Sequence, residues 1–215
     1  MSASTKKTTP NRAPWIVAGI IVAVIGVAVV VAVATKGDGS KAASGAVQIN
    51  PVTVKGTPLP AYDQKANPDP AIGMVPPTLV GSSFDGSAVT VAPGGANRLT
   101  VFVAHWCPHC QRELPLLVKW IQTGGKPSNL QVSLVSTAVS ADRPNYPPSV
   151  WLQEQDWPFK VLTDDANETA GTAWGLTAFP YMLLTDGSGK VVWRNAGEIS
   201  MEDLTKAIQT ALPAT

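Results

Sequence analysis

The chain has 215 residues, with 16 Lys and Arg against 15 Asp and Glu, so its charge is close to balanced. That length holds one domain with extensions. The balance, with no basic stripe, sets aside nucleic acid as a partner.

In chain order, Trp15 to Ala34 come first as 20 uncharged residues dominated by Val, Ile and Ala. A helix of that length crosses a bilayer. Lys6, Lys7 and Arg12 precede it, which places residues 1–14 in the cytoplasm and the remainder outside. Ala32-Val33-Ala34 also fits a signal-peptide cleavage site, but the apolar core exceeds that of a signal peptide. The run is therefore read as a single uncleaved transmembrane anchor over 15–34, with the C-terminal domain extracytoplasmic.

Residues 35–75 are rich in Gly, Pro, Ser and Ala and read as a flexible linker. Val47–Val54 is the one strand-like stretch within it. A domain over 76–215 follows. Thr78–Val80 and Ala88–Val91 flank Asp85-Gly86 as an N-terminal β-hairpin. Leu99–Ala104 is a nearly continuous apolar run, as in a strand buried on both faces. Leu114, Leu117, Val118 and Ile121 then recur at helical spacing, and Gly124-Gly125 ends that helix.

A strand with Leu130, Val132 and Leu134 comes next, followed by a helix over Pro148–Gln155 and a short strand over Phe159–Leu162. Asp165 caps a helix running towards Trp174. Tyr181–Thr185 and Lys190–Arg194 flank the turn Asp186–Gly189. Ser200 caps a last helix, with Asp203 in the capping-box place. The expected fold class is α/β, with a mixed central sheet and helices on both faces. The acidic pairs Asp164/Asp165 and Glu154/Asp156 read as a helix start and a solvated face.

The two cysteines of the chain, Cys107 and Cys110, fall where the buried strand gives way to the helix. At a helix start, free N–H groups and the macrodipole favour a thiolate, the species that attacks disulfides. Cys107 is thus the candidate nucleophile and Cys110, one turn on, the resolving thiol. A bridge that only staples is disfavoured, because so short a loop removes little entropy. His105, Cys107, His109 and Cys110 carry metal-binding atoms, but structural zinc usually takes a second Cys pair, which is absent. No metal and no cofactor is expected. His105 reads as a rim or packing residue, and Glu113 as a residue of the helix surface.

Together these motifs resemble the thioredoxin superfamily over roughly residues 76–212. Trp106 precedes the first Cys, Pro115 falls at the family's helix-kinking proline, and Phe179-Pro180 stands at its cis-proline loop. The resemblance implies a thioredoxin fold, a cis Pro180 beside the cysteines, Phe179 offering its backbone to a substrate strand, and Trp106 flanking the site. The leading hairpin and the long segment between Ser136 and Phe159 are similar to the membrane-tethered TlpA/ResA-like branch. That branch implies a reductase, for example in cytochrome c maturation. Pro108 and His109 make the centre Cys-Pro-His-Cys, similar to DsbA-like oxidases, where the imidazole stabilises the Cys107 thiolate. Val101 stands where thioredoxin-like proteins carry a buried carboxylate.

The reading is an extracytoplasmic thiol–disulfide oxidoreductase, leaning to dithiol oxidase. The alternatives are a TlpA/ResA-like reductase or a non-enzymatic copper- or haem-handling protein. Expected partners are the thiols and disulfides of exported proteins and a membrane redox partner that recharges the Cys pair.

Overall fold

In a sheet covered on both faces, successive residues of a strand must each meet a core, and the central strand of this protein does so. The computed structural model describes Met1 and residues 45–212; the expected tail over 1–14 and anchor over 15–34 lie outside the described residues. The strands are β1 (Thr53–Lys55), β2 (Thr78–Ser82), β3 (Ala88–Val91), β4 (Asn97–Val103), β5 (Leu130–Ser136), β6 (Val161–Thr163), β7 (Tyr181–Thr185) and β8 (Val191–Ala196). Among the described residues the helices are α1 (Pro108–Gln122), α2 (Pro148–Glu154), α3 (Thr169–Ala173) and α4 (Met201–Ala211). None of them is long and apolar enough to cross a membrane.

The main sheet has the order β6-β5-β4-β7-β8. Strands β4, β5 and β6 run parallel, while β7 is antiparallel to both β4 and β8. This is the mixed α/β sheet expected. Side chains alternate across it. Leu99, Val101 and Val103 of β4 and Met182 and Leu184 of β7 meet Leu114 and Leu117 of α1, Trp151 of α2 and Leu204 of α4. Phe102, Val135, Tyr181 and Leu183 point the other way, towards Trp174 and Ala170. At about 25 cal/mol per Å² of apolar surface, these two layers supply the main driving force for folding.

The expected hairpin is present as β2 and β3. Asp85 Oδ1 accepts from the Ser87 N–H at 2.9 Å, and Gly86 takes φ +78° at the turn. A third strand, β1, pairs antiparallel with β2, so the hairpin is part of a three-stranded sheet rather than an isolated extension. Only Thr53–Lys55 of the strand-like stretch Val47–Val54 is paired.

The flexible linker expected over 35–75 is corrected for its described part, residues 45–75. Leu59 and Ala71 are buried. The Leu59 and Tyr62 N–H groups donate to the carbonyls of Ala173 and Gly175, each at 2.9 Å. Asp69 forms an ion pair with Arg194, whose side chain is fully buried, and the Pro60 carbonyl accepts from the same guanidinium at 2.8 Å. Apart from β1, Pro and Gly keep this segment out of regular elements, but backbone groups without a ladder can still be satisfied by another element. Gly175 belongs to this contact: at φ +77° it sits so near Pro60 that an added Cβ would lie 2.4 Å from the Pro60 oxygen.

The acidic pair Asp164/Asp165 marks a helix start, as expected, but Asp164 is buried rather than solvated. Its carboxylate accepts from the N–H groups of Ala170 and Gly171 at 2.8 and 3.1 Å and from the Thr137 hydroxyl at 2.7 Å. The N-cap is Glu168 rather than the expected Asp165, which stands three residues earlier and accepts from the Thr169 N–H at 3.1 Å. Ser200 caps α4 by accepting from the Asp203 N–H at 3.0 Å.

Candidate active site

Strand β4 ends at Val103, and the chain turns through Ala104-His105-Trp106 into α1. The Cys107 N–H closes that turn on the Ala104 carbonyl at 3.0 Å. Cys107 is the N-cap of α1 in extended backbone conformation. Pro108 follows at the first helical position, where the missing N–H costs nothing. Pro115 lies within the helix.

Both thiols are free. Cys107 is 5% exposed and Cys110 fully buried. The Cys107 thiol faces the Phe179 carbonyl at 3.9 Å, and the Phe179-Pro180 peptide is cis. The ring of Trp106 meets that of Phe179 edge-on, with centroids 5.9 Å apart. The structure thus gathers Trp106, Cys107, Pro108, Cys110, Phe179 and Pro180 at one end of the sheet.

Burial pushes the Cys110 thiol far up, beyond what a hydrogen bond to Ala104 restores, and the charges of Cys107 and Glu113 push it further. A sulfur that keeps slight exposure at the helix start and a fully buried, reluctant one a turn later can divide attack from resolution.

His109 is not brought to Cys107. Its imidazole is exposed, and Nδ1 faces the Glu198 carboxylate and the Arg112 guanidinium. Among the described residues its ring has no hydrogen bond to Cys107. Arg112 also pairs with Glu198. Helical geometry explains this: Cys107 and Cys110 face inward one turn apart, so Pro108 and His109 between them are both exposed.

Glu113 corrects a second expectation. It is 3% exposed, not on the helix surface. One oxygen accepts from the Ile199 N–H at 3.3 Å, while the other is buried without a partner. Burial raises its carboxyl to about 7, against the Ile199 bond and helped by the charge of Glu198. The signal was in the spacing. Cys110, Glu113, Leu114 and Leu117 fall at i, i+3, i+4 and i+7, so the buried stripe that carries Cys110 also carries Glu113. The acid absent at Val101 is thus supplied from the helix.

His105, expected at the rim or in packing, is fully buried. No group of three or more His, Cys, Asp or Glu side chains is placed to hold a metal ion among the described residues.

A family model described as Redoxin matches residues 56–210. A thiol:disulfide interchange protein DsbE homolog from Paracoccus denitrificans is 32% identical over 50% of this chain and 55% of its own length. A thiol-disulfide oxidoreductase ResA from Bacillus thuringiensis subsp. konkukian is 24% identical over 66% of this chain and 79% of its own. The chain therefore spans little more than half of the first of these relatives. The crystal structure of a thiol:disulfide interchange protein of the thioredoxin family from Chlorobium tepidum TLS superposes with a TM-score of 0.52 and 21% identity, covering 74% of this chain and 99% of that one. That likeness establishes the thioredoxin fold. The expected lean to a DsbA-like dithiol oxidase finds no support: the relatives are of DsbE and ResA type, and His109 engages Glu198 rather than Cys107.

Proposed function

The chain belongs to the redoxin family, and from that premise we propose that it is a thiol–disulfide oxidoreductase that reduces disulfides of exported proteins. The TlpA/ResA-like resemblance points to disulfides of apocytochrome c as one substrate class. The apolar run over 15–34 would tether the domain to the membrane, outside the cytoplasm.

The observation that carries the reductive direction is Glu113, a buried carboxyl raised to about 7 on the same helix face as Cys110. A resolving thiol pushed up by burial needs a base, and Glu113 is placed one turn away to serve as one. An oxidase depends instead on Cys107 being a good leaving group, and the imidazole that would favour this faces Glu198.

In the proposed cycle a substrate strand lies along the Phe179 backbone. The Cys107 thiolate attacks one substrate sulfur, forming a mixed disulfide. The substrate S–S bond breaks, and its other sulfur leaves as a thiolate that takes a proton from water. The Cys110 thiol then passes its proton to the Glu113 carboxylate and attacks the Cys107 sulfur. The mixed disulfide breaks, the second substrate thiolate leaves, and Cys107–Cys110 closes as a disulfide. Two electrons have passed to the substrate, and a membrane dithiol donor must restore the protein.

Thiol alkylation in intact cells tests the direction. A reductase should hold Cys107 and Cys110 mostly as free thiols. A pair found mostly as the disulfide, in cells with a working donor, would overturn the reading.

A further inference from the structure

The imidazole of His105 is buried two residues before the attacking sulfur, and one loop occupies both of its ring nitrogens. Nε2 accepts from the Ser140 N–H at 3.2 Å, and Nδ1 lies 2.7 Å from the Pro144 carbonyl. A ring that accepts at Nε2 carries its proton at Nδ1, so this is the neutral tautomer donating to Pro144. Burial also favours the neutral form, against the Pro144 bond. The same residue's carbonyl accepts from the Asn145 side chain at 3.0 Å, and its ring meets Tyr146 with centroids 6.0 Å apart.

His105 thus grips residues 138–147, the stretch between β5 and α2, at four places. That stretch forms no regular element, and Ala138 and Asn145 take φ +50° and +61°. It has few ladder bonds of its own to hold its shape. It touches the site at Trp106, whose indole N–H donates to the Ala138 carbonyl at 2.7 Å. The Arg143 guanidinium lies 5.1 Å from the centre of the Trp106 ring. Between this loop and Asp165 and Glu168 is a cleft of about 230 Å³, with Trp106 in its wall.

We propose that His105 is a positioning residue that locks loop 138–147 onto Trp106 and so builds the wall over which a polypeptide disulfide reaches Cys107. The proposal rests on the reading of the site as a reductant of protein disulfides. A polypeptide carries chain on both sides of its disulfide and must pass this wall. A small disulfide needs only the sulfur of Cys107. Loosening the loop therefore weakens productive binding of the first substrate and spares the second.

The test uses full-length protein kept reduced by a small dithiol, whose own background rate is subtracted, with two substrates, insulin and a small aromatic disulfide. His105→Phe fills the same space but removes both ring hydrogen bonds. It should raise KM for insulin about tenfold while leaving kcat, and the rate with the small disulfide, within about twofold. His105→Gln, which keeps a donor and an acceptor, should recover part of the loss. Asn145→Ala cuts a separate tie and should shift KM in the same direction; it decides the matter if His105→Phe loses its cooperative melting. An equal loss on both substrates, a fall in kcat at constant KM, or no change in any variant would overturn the proposal. If the wild-type protein attacks the small disulfide but leaves insulin intact, the functional reading itself fails and this proposal with it. If wild-type turns over insulin and the variants match it, only the role of His105 falls.

Discussion

The backbone N–H of Ile199 donates to one oxygen of Glu113 at 3.3 Å, and the other oxygen of that carboxyl is buried without a partner. One long bond is too little to hold a carboxylate comfortably out of water, and the carboxyl rises to about 7. The group next to the buried thiol can therefore change protonation near neutral pH, which is where a base for Cys110 is useful.

Glu113→Gln should slow turnover roughly 100-fold, the size of a general-base contribution. In the wild-type protein the rate should climb as pH passes through about 7, because the carboxylate form is the base. The variant should lose that inflection. Turnover of a polypeptide disulfide between pH 5 and 9 measures both. An unchanged inflection in the variant would assign it to another group.

The same substitution should act on stability. The folded-state value of Glu113 is raised above its unfolded value, so its contribution is fully present below the unfolded value near 4.5 and is lost as pH rises through about 7. Glu113→Gln should therefore gain stability relative to wild type at pH 8 and not at pH 4. The gain should be about 1–3 kcal/mol after allowance for solvent screening. Denaturant midpoints at the two pH values provide the comparison, and equal differences at both would contradict it.

Cys110→Ser should accumulate mixed disulfides on Cys107, since the attacking thiol remains and the resolving one is gone. Cys107→Ser should trap almost none, because Cys110 is fully buried. Non-reducing gels of membrane extracts show the adducts, and their mass spectra identify the substrates. Equal trapping by both variants would reverse the assigned roles.

Asp69→Ala leaves the Arg194 guanidinium buried without its carboxylate. The cost should be about 2–4 kcal/mol, towards the low end for a broken buried pair because Asp69 keeps some contact with water. Burial alone would raise the Asp69 carboxyl, but bonds from Arg194 and the Ala71 N–H outweigh it and hold the carboxyl below its usual range. The pair's contribution is thus present above pH ~4 and lost as pH falls through the depressed value. Acid unfolding of the wild type should show this loss and that of Asp69→Ala should not. A stability cost below about 0.5 kcal/mol would place the N-terminal segment outside the cooperative unit.

The membrane tether has its own test. With a single span over 15–34 and basic residues ahead of it, protease added to wall-free cells should digest the domain. A domain protected until the membrane is broken would contradict the outward orientation.

What the amino-acid sequence determined by itself was local and periodic. The unbroken apolar run at 99–104 required a strand covered on both faces. The helical stripe after it placed Cys107 at a helix start, and Asp85-Gly86 and Ser200 marked a turn and a cap that the fold contains. Tertiary structure decided what depends on neighbours distant in sequence. Residues 45–75 looked like a tether because Gly and Pro bar regular structure, yet Arg194, α3 and the turn after it supply their hydrogen bonds and charge partner. Glu113 looked exposed because carboxylates usually are, and only the packing of α1 against the sheet and the turn before α4 encloses it. His109 stands two residues after Cys107 and still turns to Glu198, since a helix sends residues i and i+2 in different directions and the nearest charge lies across the fold.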